Sequence, residues 1–335
     1  MRYDYLIFIG RFQPFHTGHE YVIRQALKLS DKVIVLIGSA HQPRTSRNPW
    51  DFNEREAFMR CVFDEEENAR ILAFPLLDYT YNHQIWIKSI QQLISGITHK
   101  KIASQTNIGL IGHQKDKSSF YLCDFPQWDR VEIKNYQNIS STDIRKAYFE
   151  ENEIGDVLNT NVAMLLENFK NTKSYTQVSD EYHFTQKYKS AWDNAPYTPM
   201  FVTVDAVVVQ SGHILLIKRK AYPGKGLMAL AGGFLDENET LKDAVIRELR
   251  EETGIKVPVP VLLGSISKTQ VFDDPHRSAR GRTITHAYLI ELKGDKLPKV
   301  KGGDDASKAF WLPFSEIKRE MMFEDHFHII QAMLG

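Results

Sequence analysis

Residues 232–255 read GGFLDENETLKDAVIRELREETGI, and the spacing within this stretch decides the fold of the second half of the chain. Ala244, Val245 and Leu249 share one helical face, while Glu248 and Glu252 lie one turn apart on another, with Glu251 beside them. Three carboxylates in one turn repel each other unless cations neutralise them, and hard divalent ions with oxygen ligands are the natural partners. Gly254 can supply the left-handed residue that ends such a helix, and Gly232-Gly233 lets backbone approach a metal or phosphate closely. For REL-x-EE alone, a solvated face whose Glu and Arg simply pair would be the better reading. Gly233, Glu239, Gly254 and Ile255 at their offsets turn the balance toward chemistry.

With Arg247 included, the stretch resembles the Nudix signature at every fixed position: Gly233, Glu239, Arg247, Glu248, Glu251, Glu252 and Gly254. The resemblance implies that Glu248, Glu251 and Glu252 hold Mg²⁺ or Mn²⁺, that Arg247 and Glu239 brace loop and helix, and that a water attacks a bridging diphosphate. Glu248 and a later loop acid are both admissible as the general base. Strand-like segments surround this helix: Phe201 to Val209, a Ser211-Gly212-His213 turn, then Ile214 to Lys218, which is hairpin chemistry in an α+β half. The loop Phe272 to Thr283 is similar to that of ADP-ribose-type Nudix pyrophosphatases, and its Arg277 and Arg282 are expected to clamp a diphosphate, unless the loop is only basic and solvated.

Upstream, the chain reads strand, loop, helix, strand. Tyr5–Ile9 and Val33–Ile37 are apolar runs ending at glycines, and Val22, Ile23, Ala26 and Leu27 recur between them at helical spacing, as in a βαβ unit of a parallel sheet. A helix over Asn53–Phe63, a strand at Ile71–Phe74, a helix over Ile85–Ile94 and a strand at Ile108–Ile111 are expected to follow. The loop after the first strand is Gly10-Arg11-Phe12-Gln13-Pro14-Phe15-His16-Thr17-Gly18-His19. It sets two imidazoles at the carboxyl end of a parallel strand and the start of a helix, a donor-rich place for phosphate where Gly18 avoids a Cβ. A second stretch, Ile139-Ser140-Ser141-Thr142-Asp143-Ile144-Arg145, offers hydroxyls at a helix start and an arginine one turn in. No GxxxxGK[ST] occurs, so the cradle is not a P-loop.

HxGH after GRFQPF resembles the nucleotidyltransferase superfamily, and ISSTDIR agrees. Together with Gly38-Ser39-Ala40 and the Arg47–Trp50 segment with Glu54-Arg55, the pattern is most similar to archaeal-type nicotinamide mononucleotide adenylyltransferases. That resemblance implies in-line attack on the α-phosphate of ATP, assisted by His16, His19 and Arg145. Nucleotide contacts would come from Gly10, Arg11, Phe12, Gln13, Gly18, Ser39, Ser140, Ser141 and Thr142, with Mg²⁺ accompanying the ATP. Asn82 and Trp86 would meet the nicotinamide, although Trp86 reads equally well as helix core. Gly112-His113-Gln114-Lys115-Asp116 is a further candidate contact, though Lys115 and Asp116 also read as a solvated ion pair. A cytidylyl or pantetheine-phosphate enzyme, and a Nudix half that senses a metabolite without cleaving it, are the competing readings.

At 335 residues, with 42% hydrophobic and 25% charged, the chain is long enough for two folded domains. Zero formal net charge offers no bulk attraction to nucleic acid, and no apolar run reaches membrane-spanning length. The N-terminus lacks the pattern of a signal peptide, and two cysteines without CxxC spacing suit a reducing cytoplasm. The expected architecture is α/β. A Rossmann-like parallel-sheet nucleotidyltransferase domain spans residues 1–172, a linker with a helix over Asp180–Trp192 spans 173–198, and an α+β Nudix domain spans 199–335. The whole chain resembles the bacterial bifunctional nicotinamide-nucleotide adenylyltransferase/Nudix hydrolase family. This implies ATP, nicotinamide mononucleotide, NAD and ADP-ribose as its partners, with exposed strand edges and the linker helix open to a homo-oligomer.

Overall fold

A computed structural model describes residues 3–98, 106–112, 122–133, 136–303 and 306–335, so Lys115, Asp116 and their neighbours His113 and Gln114 lie outside the described residues. The chain divides into two compact units, Met1–Ser179 and Asp180–Gly335.

In the first unit, strands β1 (Tyr3–Gly10), β2 (Ser30–Ile37), β3 (Ile71–Pro75), β4 (Ile108–Gly112) and β5 (Asp129–Glu132) alternate with helices. These are α1 (Thr17–Leu29), α2 (Phe52–Arg60), α3 (Glu65–Arg70), α4 (His83–Thr98), α5 (Ser141–Phe149) and α6 (Thr160–Lys170). The sheet order is β3-β2-β1-β4-β5 and all its pairings are parallel. Covered on both faces, β1 and β2 are continuous apolar runs with Leu6, Ile7 and Val33 to Ile37 fully buried. The chain runs outward from β1 to β3 and then returns on the other side at β4. The carboxyl ends of β1 and β4 therefore flank a topological switch point, where open α/β sheets bind ligands.

Helix α7 (Lys173–Ser190) starts earlier than the sequence suggests, and the unit boundary falls inside it. The cause is a cap hidden in the polar Asn171–Ser174 stretch: Thr172 Oγ1 accepts the Tyr175 N–H at 3.1 Å. Trp192 falls in the turn that follows rather than in the helix.

The second unit holds a mixed sheet of β6 (Met200–Gln210), β7 (His213–Arg219), β8 (Met228–Ala229), β9 (Ala231–Phe234), β10 (Ile266–Phe272), β11 (Arg282–Glu291) and β12 (Ala306–Pro313). Its order is β10-β11-β6-β7-β12, with β8 on β7 and β9 on β6, and β11–β6 is parallel. Helices α8 (Leu241–Thr253), α9 (Val259–Gly264) and α10 (His326–Leu334) complete it. Val204, Ala206 and Val208 of β6 pack with Ala244, Val245 and Leu249 of α8 in one core. Strand period thus buries alternate residues against the helix and leaves Asp205 for the opposite face.

Two candidate active sites

At the end of β1 the chain turns sharply. The Gly38 N–H donates to the Gly10 carbonyl at 2.8 Å, and Phe12 (φ +52°) folds its ring back so that a Cβ on Gly10 would meet it at 2.8 Å. His16 is the N-cap of α1. Its Nδ1 accepts the Gly18 N–H at 3.1 Å, and His19 Nδ1 accepts the His16 N–H at 3.3 Å. A neutral imidazole that accepts at Nδ1 carries its proton at Nε2, so both rings are set as Nε2–H donors. The rings stack with centroids 3.7 Å apart. Helix propensity, cap and phosphate donor are therefore one device.

Other expected nucleotide residues gather here, several as braces. Gln13 clasps Trp50, donating to its carbonyl at 2.9 Å and accepting its N–H at 3.2 Å. Ser39 (φ +50°) donates its N–H to Asp78 Oδ1 at 3.2 Å. Ser140 caps α5 by accepting the Asp143 N–H. Arg145 is buried and donates to the carbonyls of Gln13 at 2.6 Å and Ser141 at 3.1 Å and to Thr142 Oγ1 at 3.2 Å. Burial holds its guanidinium down to about 10, and the charges of Arg11 and Arg47 push the same way. Arg11 is likewise lowered to about 10, by burial and then by Arg47. Arg11 and Arg145, both lowered in part by their fellow cations, gather with Arg47 at a place for an anion.

Arg47 belongs to this cluster although the sequence placed it only in a supporting segment. Arg55, quoted beside Glu54 for the same resemblance, was likewise given no role of its own. Only 1% exposed, it donates to the carbonyls of Gly38 at 2.6 Å, Arg11 at 2.7 Å, Asp51 at 3.1 Å and Ser39 at 3.3 Å. It ties the two loops that leave β1 and β2. The structure places Trp86 in α4 and Asn82 just before it. Asn82 Oδ1 accepts the Ile85 N–H at 3.1 Å, and Trp86 stacks on His83 and packs toward Phe125.

In the second unit, Thr240 caps α8 and Gly254 (φ 58°) ends it in the left-handed conformation. Arg247 is the hub. It bonds Glu239 twice, at 2.6 and 3.0 Å, and its Nη1 reaches Glu248 at 2.9 Å and Glu251 at 3.0 Å. Glu252 is buried, and its Oε2 accepts the Gly232 N–H at 2.9 Å. Burial pushes the Glu248 carboxyl up while Arg247 pulls it down. A Cβ on Gly233 would run into the Glu248 carboxylate and push it aside. Among the described residues no group of three or more His, Cys, Asp or Glu side chains is gathered as a metal site, because Arg247 and the Gly232 N–H hold these carboxylates instead. Their chemistry nevertheless suits a hard divalent cation: three oxygen donors on one turn, facing backbone in place of a Cβ.

The arginine loop differs from expectation. Arg277 directs its guanidinium to an acid of the chain itself. It is buried in a bidentate pair with Asp325 at 2.9 and 3.0 Å. Arg282 turns to the Asp273 carbonyl. Arg280, between them, lies 5.1 Å over the Phe234 ring. Behind the loop is a polar cluster that the sequence did not show. Asp205, raised by burial, accepts from Thr285 Oγ1 at 2.6 Å and lies 3.8 Å from His326 Nε2. His326 Nδ1 accepts the Leu230 N–H at 3.0 Å, and burial pushes its pKa down to about 3.

Comparison with known proteins agrees with this geometry on both units. Residues 7–147 match the cytidylyltransferase-like family and residues 199–333 the NUDIX domain. A nicotinamide/nicotinic acid mononucleotide adenylyltransferase from Acinetobacter baylyi is 38% identical over 54% of this chain and 94% of its own length. A crystal structure of a bifunctional NMN adenylyltransferase/ADP-ribose pyrophosphatase from Francisella tularensis, complexed with AMP and manganese ion, matches 99% of this chain and 98% of that one, at 35% identity and a TM-score of 0.92. The chain belongs to the family of bifunctional NMN adenylyltransferase/ADP-ribose pyrophosphatases. An ADP-ribose pyrophosphatase from Methanocaldococcus jannaschii is 38% identical over 39% of this chain and 70% of its own length. The fold is the expected one, a parallel α/β sheet domain followed by a mixed-sheet Nudix domain. No helix among the described residues is long and apolar enough to cross a membrane.

Proposed function

We propose that the first domain joins nicotinamide mononucleotide to the adenylyl group of ATP and that the second cleaves ADP-ribose to AMP and ribose 5-phosphate. The observation that carries the first activity is the paired Nε2–H donors of His16 and His19 at the switch point, on the same loop as Arg11, which forms a cation cluster with Arg47 and Arg145. A phosphate oxygen of the mononucleotide attacks the α-phosphorus of ATP. The new P–O bond forms as the bond to the β-phosphate bridging oxygen breaks, and pyrophosphate leaves. His16 and His19 donate to the phosphate oxygens as charge builds on them, and Arg145 holds its share through a guanidinium already locked on Gln13 and Ser141. No nucleophile from the protein is needed.

In the second domain a divalent cation fits the Glu248, Glu251 and Glu252 oxygens, and the manganese of the Francisella relative supports that reading. Bound there, it would supply charge neutralisation at the diphosphate and a more acidic water, with Mg²⁺ or Mn²⁺ as the ion. Arg247 orients Glu239, Glu248 and Glu251, and the Gly232 N–H orients Glu252. Water oxygen attacks one phosphorus and the bridging P–O bond breaks. Two free cysteines suit a cytoplasmic enzyme. The test is product analysis of the purified protein on ATP or CTP with nicotinamide or nicotinic acid mononucleotide, and separately on ADP-ribose, NADH and other diphosphates. Faster pyrophosphate release with CTP, or intact ADP-ribose in the presence of divalent metal, overturns the corresponding half.

A further inference from the structure

We infer that Arg55 is a positioning residue for adenylyl transfer, one that acts through the Arg11 turn rather than by touching the nucleotide. The inference rests on the adenylyltransferase reading and adds to that site a residue lying behind its loops.

Two turns at the switch point are strained. Phe12 (φ 52°) after β1 and Ser39 (φ 50°) after β2 are non-glycine residues in the left-handed region. Such conformations persist only where the surroundings over-determine them. In both turns the peptide just before the strained residue is gripped by the same atom: Arg55 Nη1 donates to the Arg11 carbonyl at 2.7 Å and to the Gly38 carbonyl at 2.6 Å. A guanidinium is planar with donors at fixed angles, so holding it still holds the two turns in register with each other. Arg55 is itself held. It lies in the first turn of α2, where Asp51 and Glu54 cap the helix reciprocally, and its Nε donates to the Asp51 carbonyl at 3.1 Å.

In a trans peptide the N–H points opposite to the C=O, so a carbonyl drawn to Arg55 turns the following N–H away from it. On the Ser39 side that N–H meets an anion, Asp78 Oδ1 at 3.2 Å. The matching N–H of Phe12 makes no hydrogen bond among the described residues. One guanidinium thus aims two equivalent donors, one at a carboxylate of the chain and one left for a phosphate oxygen, with the Arg11 cation beside it. Simple scaffolding does not explain the choice of residue. Arg55 is buried on four carbonyls and makes no direct ion pair among the described residues. Desolvation lowers its guanidinium to about 10 against the opposing charges of Asp78 and Asp51. An apolar side chain would fill the same space at lower cost, but it would not direct the two peptides.

The test is a double-mutant cycle in the full chain, read as pyrophosphate release from ATP and nicotinamide mononucleotide. Arg55→Lys keeps the charge but replaces the planar fork with a point. It is expected to lower kcat/KM for transfer about 10- to 100-fold, the worth of a charge-assisted hydrogen bond, with ADP-ribose hydrolysis unchanged in the same sample. In the Arg11→Ala background the same substitution is expected to cost less by about threefold or more, because residues that act through one another are not additive. A loss under about threefold in the wild-type background, or two losses that simply multiply, overturns the inference. Should Arg55→Lys unfold the first domain, Arg55→Gln enters the same cycle and is judged by the same criterion. If the wild type works faster with CTP or with another mononucleotide, the adenylyltransferase reading fails, and the cycle run on the preferred pair still decides the role of Arg55.

Discussion

Arg247 and Glu239 meet as a two-pronged ion pair, Nη2 to Oε1 at 2.6 Å and Nε to Oε2 at 3.0 Å, while the remaining nitrogen of the same guanidinium spans Glu248 and Glu251. The pair pulls the Glu239 carboxyl below its ordinary range. One planar cation thus serves three carboxylates, which a point charge on a flexible stem does not do. Arg247→Lys is expected to lower kcat/KM for ADP-ribose by about tenfold or more, the worth of a lost charge-assisted bond, and to leave adenylyl transfer unchanged. Full hydrolysis by this variant would show that the hub is only scaffolding.

Glu252→Gln separates charge from architecture. The amide oxygen still accepts the Gly232 N–H, so the loop is expected to stay in place and the melting temperature to move little. The negative charge is gone, and metal-dependent hydrolysis should be abolished while transfer persists. Retained ADP-ribose cleavage in Mn²⁺ would remove Glu252 from the metal ligands.

Gly232→Ala probes the same contact from the other side. A Cβ there would collide with the Val204 carbonyl oxygen and reach Asp205 Oδ1 at 3.0 Å. The expected loss is about 1–3 kcal/mol of second-domain stability, read by urea unfolding, together with a fall in hydrolysis. A variant as stable as the wild type would mean that β9 and β6 can part without cost.

In the first domain, His19→Ala should cost adenylyl transfer about two orders of magnitude, as loss of a transition-state donor does, with hydrolysis intact. His16 has two roles, and its variants divide them. His16→Asn keeps an acceptor for the Gly18 N–H and should lose transfer with little loss of stability, whereas His16→Ala also forfeits the α1 cap, about 1 kcal/mol. Equal transfer rates in His16→Asn and wild type would refute the donor role.

Stability of the second domain should fall on acidification. His326 is held to about 3 and His328 to about 4, both by burial, against an ordinary 6.5. Below about 6.5 the unfolded chain takes up protons that the folded one refuses. The stabilisation is therefore complete above that pH and is lost toward 4 at about 1.4 kcal/mol per pH unit for each histidine. Asp205 and Glu324, raised by burial, act in the opposite sense, their share being full in acid and lost as pH rises through their raised values. His326→Gln keeps an acceptor for the Leu230 N–H and should flatten the acid slope by one proton. An unchanged slope in chemical denaturation would rule out His326 as a source.

Much of both sites was legible because it is local. A cap, a helical turn of carboxylates and a strand-ending glycine are defined by neighbours within about four residues, and the spacing of Gly233, Glu239, Arg247 and Gly254 or of His16 and His19 carries that geometry directly. The boundary helix was misplaced because its start depends on one hydroxyl, Thr172, inside a stretch whose composition reads as linker. Arg55 was quoted for the resemblance but given no role, because its four acceptors are carbonyls, which have no sequence signature.

The sequence by itself determined two domains, their fold classes, the HxGH and Nudix chemistry and the order in which they occur. Only the tertiary structure decided which cation does what. Arg145 reaches the Gln13 carbonyl across 132 positions, and His326 approaches Asp205 from the last helix. Of three arginines in one loop, Arg277 is claimed by Asp325 and Arg282 by Asp273, leaving Arg280 on Phe234. The reason is physical. A charged side chain takes the partner that best repays its desolvation, and those partners are set by how the sheet and the last helix pack, at distances along the chain that no local pattern records.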